Sequence, residues 1–583
     1  MSTILSSLLE SPMVLYTIAL TVAWTLVQII PKVSHREALI QRIDSGLIII
    51  AFVLYLFLTV LFIRVNVDFF PYLHAIMLAF TLLSILGSSK KNSRLLSMAT
   101  FAIALMPVVV MVSTKHPFPL GDDCRFLGFA EAIAEDGRWI PFKYAENPYY
   151  QFFNIIPFLE YVLASTAGVG FENVAAYYLA LKFCLYLTYL TFVYLVVKKL
   201  TKDDLSPLVA VLVLSITPPL ALTQVVHQAY ACVLFLTTAH LLLKRFGGIR
   251  HQAIACTVVT YPLMVAGLVA HATYTIMILA FVLPFVLARG RWIQDSGNGM
   301  MRSVGLLVMV SSAFWTYTYV LDVIIRPTVN AMARLVDLLT GSAPFIPFQG
   351  TAQPWYTPEV SEFFIAWALV PAIVGSYALL SVLRIIRGRD NELIAIMGFI
   401  GLGATVTNYV LRTLPTFGGR YFYWLYLLML PLAATVVRSS CKSFIGLVFS
   451  VVLISTASFY GIQDFTLAAN TYGDYVAWAD RTSWNIGQAL IPHLSPRVQV
   501  WLDPRIGGPI LASSPPLATE ILKTQHVLVV IGMDKVGLQA MQKDPRNVNF
   551  FAKASGVKPE NLVSNIHNVN VVFSAKRYLG IWL

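Results

Sequence analysis

The sequence predicts a mainly α, polytopic membrane protein with a small external α/β domain at its C-terminal end. Three observations predict this fold class. Only 12% of the 583 residues are charged and 57% are hydrophobic, whereas a soluble domain has about 25% charged residues. Many apolar runs reach about 17 to 23 residues, which is long enough for a helix to cross the ~30 Å hydrocarbon core of a bilayer. A polar stretch, residues 462–583, follows the last of these runs.

The apolar runs predict about fourteen transmembrane helices. They lie at residues 12–30, 45–63, 69–87, 96–113, 175–197, 206–224, 229–243, 252–270, 272–288, 303–325, 362–383, 392–410, 421–437 and 443–461. A soluble enzyme and a disordered protein are therefore excluded.

The basic residues orient these helices. The chain has 41 Lys and Arg against 29 Asp and Glu, and many of the basic residues lie in alternate short connections. Those connections contain Lys32, Arg36, Arg42, Lys90, Lys91, Arg94, Lys198, Lys199, Lys202, Lys244, Arg245, Arg250, Arg289, Arg291, Arg302, Arg384, Arg387, Arg389, Arg438 and Lys442. Positive residues in short loops stay in the cytoplasm. This pattern predicts a cell-membrane protein with its N-terminus and its C-terminal domain outside, and it accounts for the basic excess without a nucleic-acid partner.

The long polar segments are all predicted to be external. They are the loops 114–174 and 326–361 and the tail 462–583. The predicted cytoplasmic connections, by contrast, are short turns. We therefore expect the functional site on the outer side.

The first loop contains an acidic pair, Asp122 and Asp123, at the start of a predicted interfacial helix, Phe126 to Ile133. Asp is also a good residue for the start of a helix, so a capping role is the alternative. The following stretch, Tyr149 to Ala167, is predicted to be an amphipathic helix on the membrane surface. Its aromatic residues, Tyr149 and Tyr150 among them, would lie at the level of the lipid head groups.

This order of features resembles the GT-C glycosyltransferases, including the mannosyltransferase-like family 39. The features are a membrane helix, an external acidic pair, a helix ending in Gly137-x-Trp139-x-Pro141, a surface helix and a returning span. The resemblance implies that one acid acts on the acceptor hydroxyl and that the donor is a sugar on a polyprenyl phosphate. It covers roughly residues 96–583. Because the family usually has one span before this loop, residues 1–95 are interpreted as extra N-terminal helices and residues 96–461 as the transmembrane core.

A second resemblance lies in the segment 418–437. Arg420, Tyr421 and Pro431 are similar to the Arg-Tyr pair and proline of a late GT-C span. An arginine at the outer leaflet can give a bidentate fork to a lipid phosphate. The alternative is that Arg420 only anchors the end of the helix at the membrane surface.

The tail is similar to the soluble domains of polyprenyl-phosphate-dependent transferases. Alternating patterns predict strands at Val498–Leu502, Val527–Ile531 and Val569–Phe573, with helices between them. The W-W-D-Y-G signature of oligosaccharyltransferases is missing from the sequence, and this disfavours transfer to asparagine.

Three further residues are candidates for binding the donor phosphate. His227 and His271 lie in predicted external turns, although a histidine in such a turn is often structural. Lys182 lies within a predicted span, where a charge is costly and usually has a partner; Asp322 is an alternative partner to a phosphate. Asp122 and Asp123, with either histidine, also have ligands that suit Mg²⁺ or Mn²⁺, but many relatives of this type work without a metal.

The sequence thus predicts an inverting membrane glycosyltransferase of the cell envelope. It would use a polyprenyl-phosphate-linked sugar, with membrane lipids around it and a lipid, glycan or protein as acceptor. The alternative functions are a lipid-linked sugar flippase and a non-catalytic membrane scaffold.

Overall fold

The structure is a computed structural model, and it describes part of the chain. The described residues are 12–29, 45–65, 69–87, 93–114, 130, 133, 137–138, 161–162, 165–166, 174–216, 227–246, 250–271, 273–287, 329, 333, 336, 340, 364–383, 392–411, 418–475, 498–502, 526–531, 570–575 and 578–582.

The described residues form thirteen helices. In chain order they are α1 Pro12–Ile29, α2 Ser45–Val65, α3 Phe70–Gly87, α4 Ser93–Thr114, α5 Val174–Thr201, α6 Ser206–Ser215, α7 His227–Phe246, α8 Arg250–Ala270, α9 Thr273–Leu287, α10 Phe364–Val382, α11 Glu392–Leu411, α12 Gly418–Ser440 and α13 Phe444–Tyr475. Each overlaps a predicted apolar run. The predicted run 303–325 lies outside the described residues, and α13 continues to Tyr475, well past its predicted end.

The protein is mainly α, and some of its helices are long and apolar enough to cross a membrane. Within the described residues three helical segments meet that requirement: Leu181–Thr201, Ile365–Val382 and Phe444–Gln463. The nine other apolar helical segments found within the described residues are 10–17 residues long, although the helices that contain some of them, such as α4 and α12, have 22 and 23 residues. The prediction of fourteen spans is therefore not confirmed.

The tail contains four strands, β1 Val498–Leu502, β2 His526–Ile531, β3 Asn570–Ala575 and β4 Tyr578–Trp582. They form one sheet in the order β1-β2-β4-β3. β1 pairs with β2 in parallel, while β4 pairs antiparallel with both β2 and β3. Three strands coincide closely with the predicted ones, and β4 was not predicted. An α/β domain is not shown, because the predicted helices between the strands lie outside the described residues.

The chain divides into two compact units. The first consists of residues 1–111, 183–223 and 228–468, and the second of residues 112–182, 224–227 and 469–583. Helix α5 contributes residues to both. The first unit therefore contains most of the helices, and the second contains the sheet.

The N-terminal helix α1 is packed into the first unit. Trp24 is fully buried, and its indole N–H donates to the Ser440 hydroxyl at 3.2 Å. Its ring also meets the Phe449 ring edge-on at 5.2 Å. On the same helix the Gln28 amide donates to the Ser376 hydroxyl at 2.7 Å. Helix α1 thus contacts α10, α12 and α13.

Helix α6 is buried along its whole length, and Asp203 holds its first turn. One carboxylate oxygen of Asp203 accepts hydrogen bonds from the backbone N–H groups of Leu205 and Ser206, each at 2.8 Å. The other oxygen pairs with Arg438 at 2.8 Å. The start of α6 is thereby tied to the end of α12.

Candidate functional site

The predicted acidic pair lies outside the described residues, as do Tyr149 and Tyr150. The helix predicted behind the pair is partly described. Ala130 and Ile133, three residues apart, are both helical and fully buried. Gly137 has a φ of +68°, a left-handed conformation that glycine adopts readily and that often ends a helix. The roles of Asp122 and Asp123 stay predictions.

The surface helix predicted at Tyr149 to Ala167 in the first loop is also partly described. Tyr161, Val162 and Thr166 are helical, and the Thr166 hydroxyl donates to the Val162 carbonyl at 2.8 Å. These positions agree with the predicted helix. In the second loop Val336 and Thr340 are helical and exposed.

Arg420 and Tyr421 lie in the first turn of α12, which begins at Gly418. The structure describes the backbone of these two residues. The first N–H groups of a helix have no partner within it, and they give this end a partial positive charge. The backbone position thus suits a role in anion binding, while the contacts of Arg420 stay a prediction.

His271 is buried, with 6% of its surface exposed, in the short turn between α8 and α9. The backbone N–H of His271 donates to the Gly267 carbonyl at 3.1 Å, and the backbone carbonyl of His271 accepts from the Tyr274 backbone N–H at 3.0 Å. The Tyr274 hydroxyl meets the Thr238 hydroxyl at 2.8 Å. The described contacts of this turn are structural.

Lys182 is almost fully buried on α5, with 1% of its surface exposed. Tyr186 and Tyr189 follow at the fourth and seventh positions after it, so the three side chains share one face of the helix. Both tyrosines are fully buried, and their rings stack with centroids 6.1 Å apart. The described contacts leave the Tyr186 hydroxyl without a hydrogen-bond partner.

This face of α5, formed by Lys182, Tyr186 and Tyr189, is called the lysine–tyrosine face below. Ammonium and hydroxyl groups are hydrogen-bond donors, and a charge-assisted hydrogen bond is strong in an apolar environment. Lys182 was predicted as a candidate from the sequence, whereas the two tyrosines were not. Their spacing from the lysine was the signal that could have found them.

The described sequence-predicted residues are divided between the two units. Lys182 and His227 belong to the second unit, and His271 and Arg420 belong to the first. His227 is the first residue of α7. Among the described residues no group of three or more His, Cys, Asp or Glu side chains could hold a metal ion. The proposed metal ligands Asp122 and Asp123 lie outside them.

Comparison with known protein families and with curated proteins finds no match. Comparison with solved structures finds the oligosaccharyltransferase of Archaeoglobus fulgidus, in a crystal structure tethered through a disulfide bond to an acceptor peptide with the NVT sequon. The TM-score is 0.50 at 13% sequence identity, and the likeness covers 84% of this chain and 74% of that chain. At this identity the likeness shows the fold alone: this chain has a fold similar to that of the archaeal oligosaccharyltransferase.

Proposed function

We propose that this protein is a membrane glycosyltransferase that moves a sugar from a polyprenyl-phosphate donor to an acceptor on the outer face of the membrane. The observation that carries the proposal is the fold likeness to an oligosaccharyltransferase over 84% of the chain. The external acidic pair predicted from the sequence supports it independently, because a glycosyl transfer needs a base near the acceptor.

The proposed orientation is multi-pass, with both termini outside. The described contacts support it. Arg438 and Asp203, which are joined by an ion pair of 2.8 Å, belong to two connections that the basic-residue pattern assigns to the cytoplasm. The Tyr72 ring, near the start of α3, and the Phe459 ring of α13 lie 4.6 Å apart. The same pattern assigns both positions to the outer side.

In the proposed reaction Asp122, with Asp123 beside it, takes the proton of the acceptor. The acceptor atom attacks the anomeric carbon of the sugar and forms the new glycosidic bond with inversion. The bond from that carbon to the phosphate oxygen breaks, and its electron pair leaves with the polyprenyl phosphate. Charge on this leaving group needs positive partners.

Two groups of residues are proposed to bind the donor. Arg420, at the start of α12 with Tyr421, would hold the phosphate with a planar fork. The lysine–tyrosine face of α5 supplies further donors, since its polar atoms are withdrawn from water. Tyr149, Tyr150, His227 and His271 remain proposed contacts of the donor.

The acceptor class is a separate matter. The similar archaeal structure holds an acceptor peptide, whereas this chain lacks the W-W-D-Y-G signature of oligosaccharyltransferases. We therefore propose an assay with three acceptors in parallel: a peptide, a glycan and a lipid. The acceptor that receives the sugar identifies the class.

The test of the function uses the purified full chain with a radiolabelled polyprenyl-phosphate sugar. Asp122→Asn and Asp123→Asn are made separately, with Glu392→Gln, an exposed carboxylate of α11, as the control. At least one aspartate variant is expected to lose two or more orders of magnitude of transfer, since removing a general base costs roughly 10²–10⁴-fold. Full activity in both variants would refute the proposed base.

Two further arms separate the alternatives. Transfer that is lost on chelation and restored by Mg²⁺ or Mn²⁺ supports a metal at the acidic pair, and transfer that resists chelation excludes it. Movement of the donor across a vesicle membrane, with no sugar transferred to any acceptor, would instead favour the flippase.

A further inference from the structure

Helix α10 contains a proline, Pro371, inside its apolar run. In an α-helix each N–H donates to the carbonyl four residues earlier, and proline has no N–H. Pro371 therefore cannot donate to the Trp367 carbonyl. The segment Ile365–Val382 is long enough to cross a membrane, where a carbonyl released by a proline takes its donor from a neighbouring part of the protein.

Tyr426 of α12 supplies such a donor. Its hydroxyl donates to the Trp367 carbonyl, and the rings of the two residues lie with their centroids 6.3 Å apart. Tyr426 is buried, with 2% of its surface exposed, and Pro371 is buried as well. This contact joins α10 to α12 and takes the place of the helical hydrogen bond that Pro371 removes.

Tyr426 lies in the half of α12 that carries Arg420. Six residues separate the two, which is about 9 Å along the helix axis. The other end of α12 is held by Ser440, which accepts a hydrogen bond of 3.2 Å from α1, and by Arg438, which forms an ion pair of 2.8 Å. A hydrogen bond has a preferred geometry, whereas an apolar contact has none. The contact of Tyr426 therefore fixes how the first half of α12 is rotated and placed against α10.

We propose that Tyr426 is a positioning residue that acts through Arg420. Its hydrogen bond to the Trp367 carbonyl, made possible by Pro371, holds the start of α12 where Arg420 meets the phosphate of the donor. This inference rests on the proposed function, in which Arg420 binds that phosphate.

The test measures equilibrium binding of a polyprenyl-phosphate sugar to the full chain in detergent. Tyr426→Phe keeps the ring and removes the hydroxyl, and it should weaken donor binding roughly 10-fold because the binding group is displaced. Tyr377→Phe is the matched control, since Tyr377 is also a buried tyrosine but packs its ring against Phe399 of α11 at 6.2 Å. It should bind the donor as the wild type does.

Two double variants separate positioning from a general loss of structure. In Pro371→Ala the alanine N–H can donate to the Trp367 carbonyl, so adding Tyr426→Phe should weaken donor binding less than about twofold. In Arg420→Ala the group that Tyr426 positions is gone, so adding Tyr426→Phe should again change binding less than about twofold. Unchanged binding in Tyr426→Phe, or a full 10-fold loss in either double variant, would overturn the proposal.

Thermal unfolding without the donor tests the hydrogen bond by itself. Tyr426→Phe should lower the melting temperature, because it leaves a buried carbonyl without its donor, and it should lower it much less in the Pro371→Ala background. If Tyr426→Phe alone does not fold, the double variant with Pro371→Ala carries the binding test. A wild type that binds no donor would refute the proposed function and the positioning role together. A wild type that binds the donor, with Tyr426→Phe binding equally well, would refute the positioning role alone.

Discussion

At the scale of single residues, the lysine–tyrosine face is the most unusual feature of the described chain. A lysine is rarely buried as deeply as Lys182, and a buried tyrosine usually finds a partner for its hydroxyl. Lys182 and Tyr186 together place polar atoms where water does not reach. Under the proposed function the Tyr186 hydroxyl, which has no hydrogen-bond partner among the described residues, donates to the phosphate.

Replacing Tyr186 by Phe separates binding from stability. The hydroxyl is buried without a described partner, so its loss should leave the melting temperature unchanged or slightly raised. If the hydroxyl donates to the donor phosphate, KM for the donor should rise roughly 10-fold, as expected for a hydrogen bond to a charged group. Donor-dependent kinetics and thermal unfolding measure the two effects, with the exposed Tyr72→Phe as control. An unchanged KM would remove Tyr186 from the donor site.

Arg420 provides a second test at the same scale. Arg420→Ala should weaken donor binding by roughly 10- to 100-fold, because a charge-assisted hydrogen bond contributes about 1.5–3 kcal/mol. Arg420→Lys keeps the charge but loses the planar fork, so its loss should be smaller yet measurable. Equilibrium binding of the donor gives both values, and the exposed Arg94→Lys serves as the comparison. If Arg420→Ala binds the donor normally, the residue is only a membrane-surface anchor.

At the scale of helices, replacing either of two glycines by alanine is predicted to change the stability of the protein in opposite directions. Gly446 lies in the first turn of α13, and a Cβ atom there would lie 2.0 Å from the Ser440 carbonyl oxygen of α12. Backbone cannot move aside easily, so Gly446→Ala should destabilise the protein by about 1–3 kcal/mol.

Gly403 of α11 is the matched control for this change. A Cβ atom at Gly403 would meet nothing within 4 Å, and alanine is the better helix former by roughly 0.5–1 kcal/mol. Gly403→Ala should therefore raise the melting temperature while Gly446→Ala lowers it. Thermal unfolding in detergent compares them, and equal effects would contradict the close approach of α12 and α13.

At the scale of the whole molecule, the N-terminal helix is built into the bundle that it precedes. Trp24 is fully buried and contacts residues of both α12 and α13. Trp24→Ala should cost about 3–5 kcal/mol, the usual loss for a large buried side chain. Leu26→Ala on the same helix should cost far less, because 59% of Leu26 is exposed. Unfolding midpoints decide the matter, and similar midpoints for the two variants would mean that α1 is a peripheral addition.

The sequence by itself determined where the described helices and three of the four described strands lie. Apolar runs and alternating patterns are local properties, and the hydrogen bonds of a helix join residues four apart. The start of α12 near Arg420 and the helical positions behind Asp122 were predictable for this reason. Strand β4 was missed, because its short segment contains Gly580 and is fixed by pairing with β2 and β3.

Only the tertiary structure decided which helices meet. Trp24 and Ser440 are separated by 416 residues, and no local pattern relates them. The pairing of Asp203 with Arg438 is equally long-range. Apolar contacts have no directional preference, so a hydrophobic sequence shows which segments are apolar helices but leaves open which side chains become neighbours. That choice depends on the shapes and polar groups of surfaces that meet only in the folded chain.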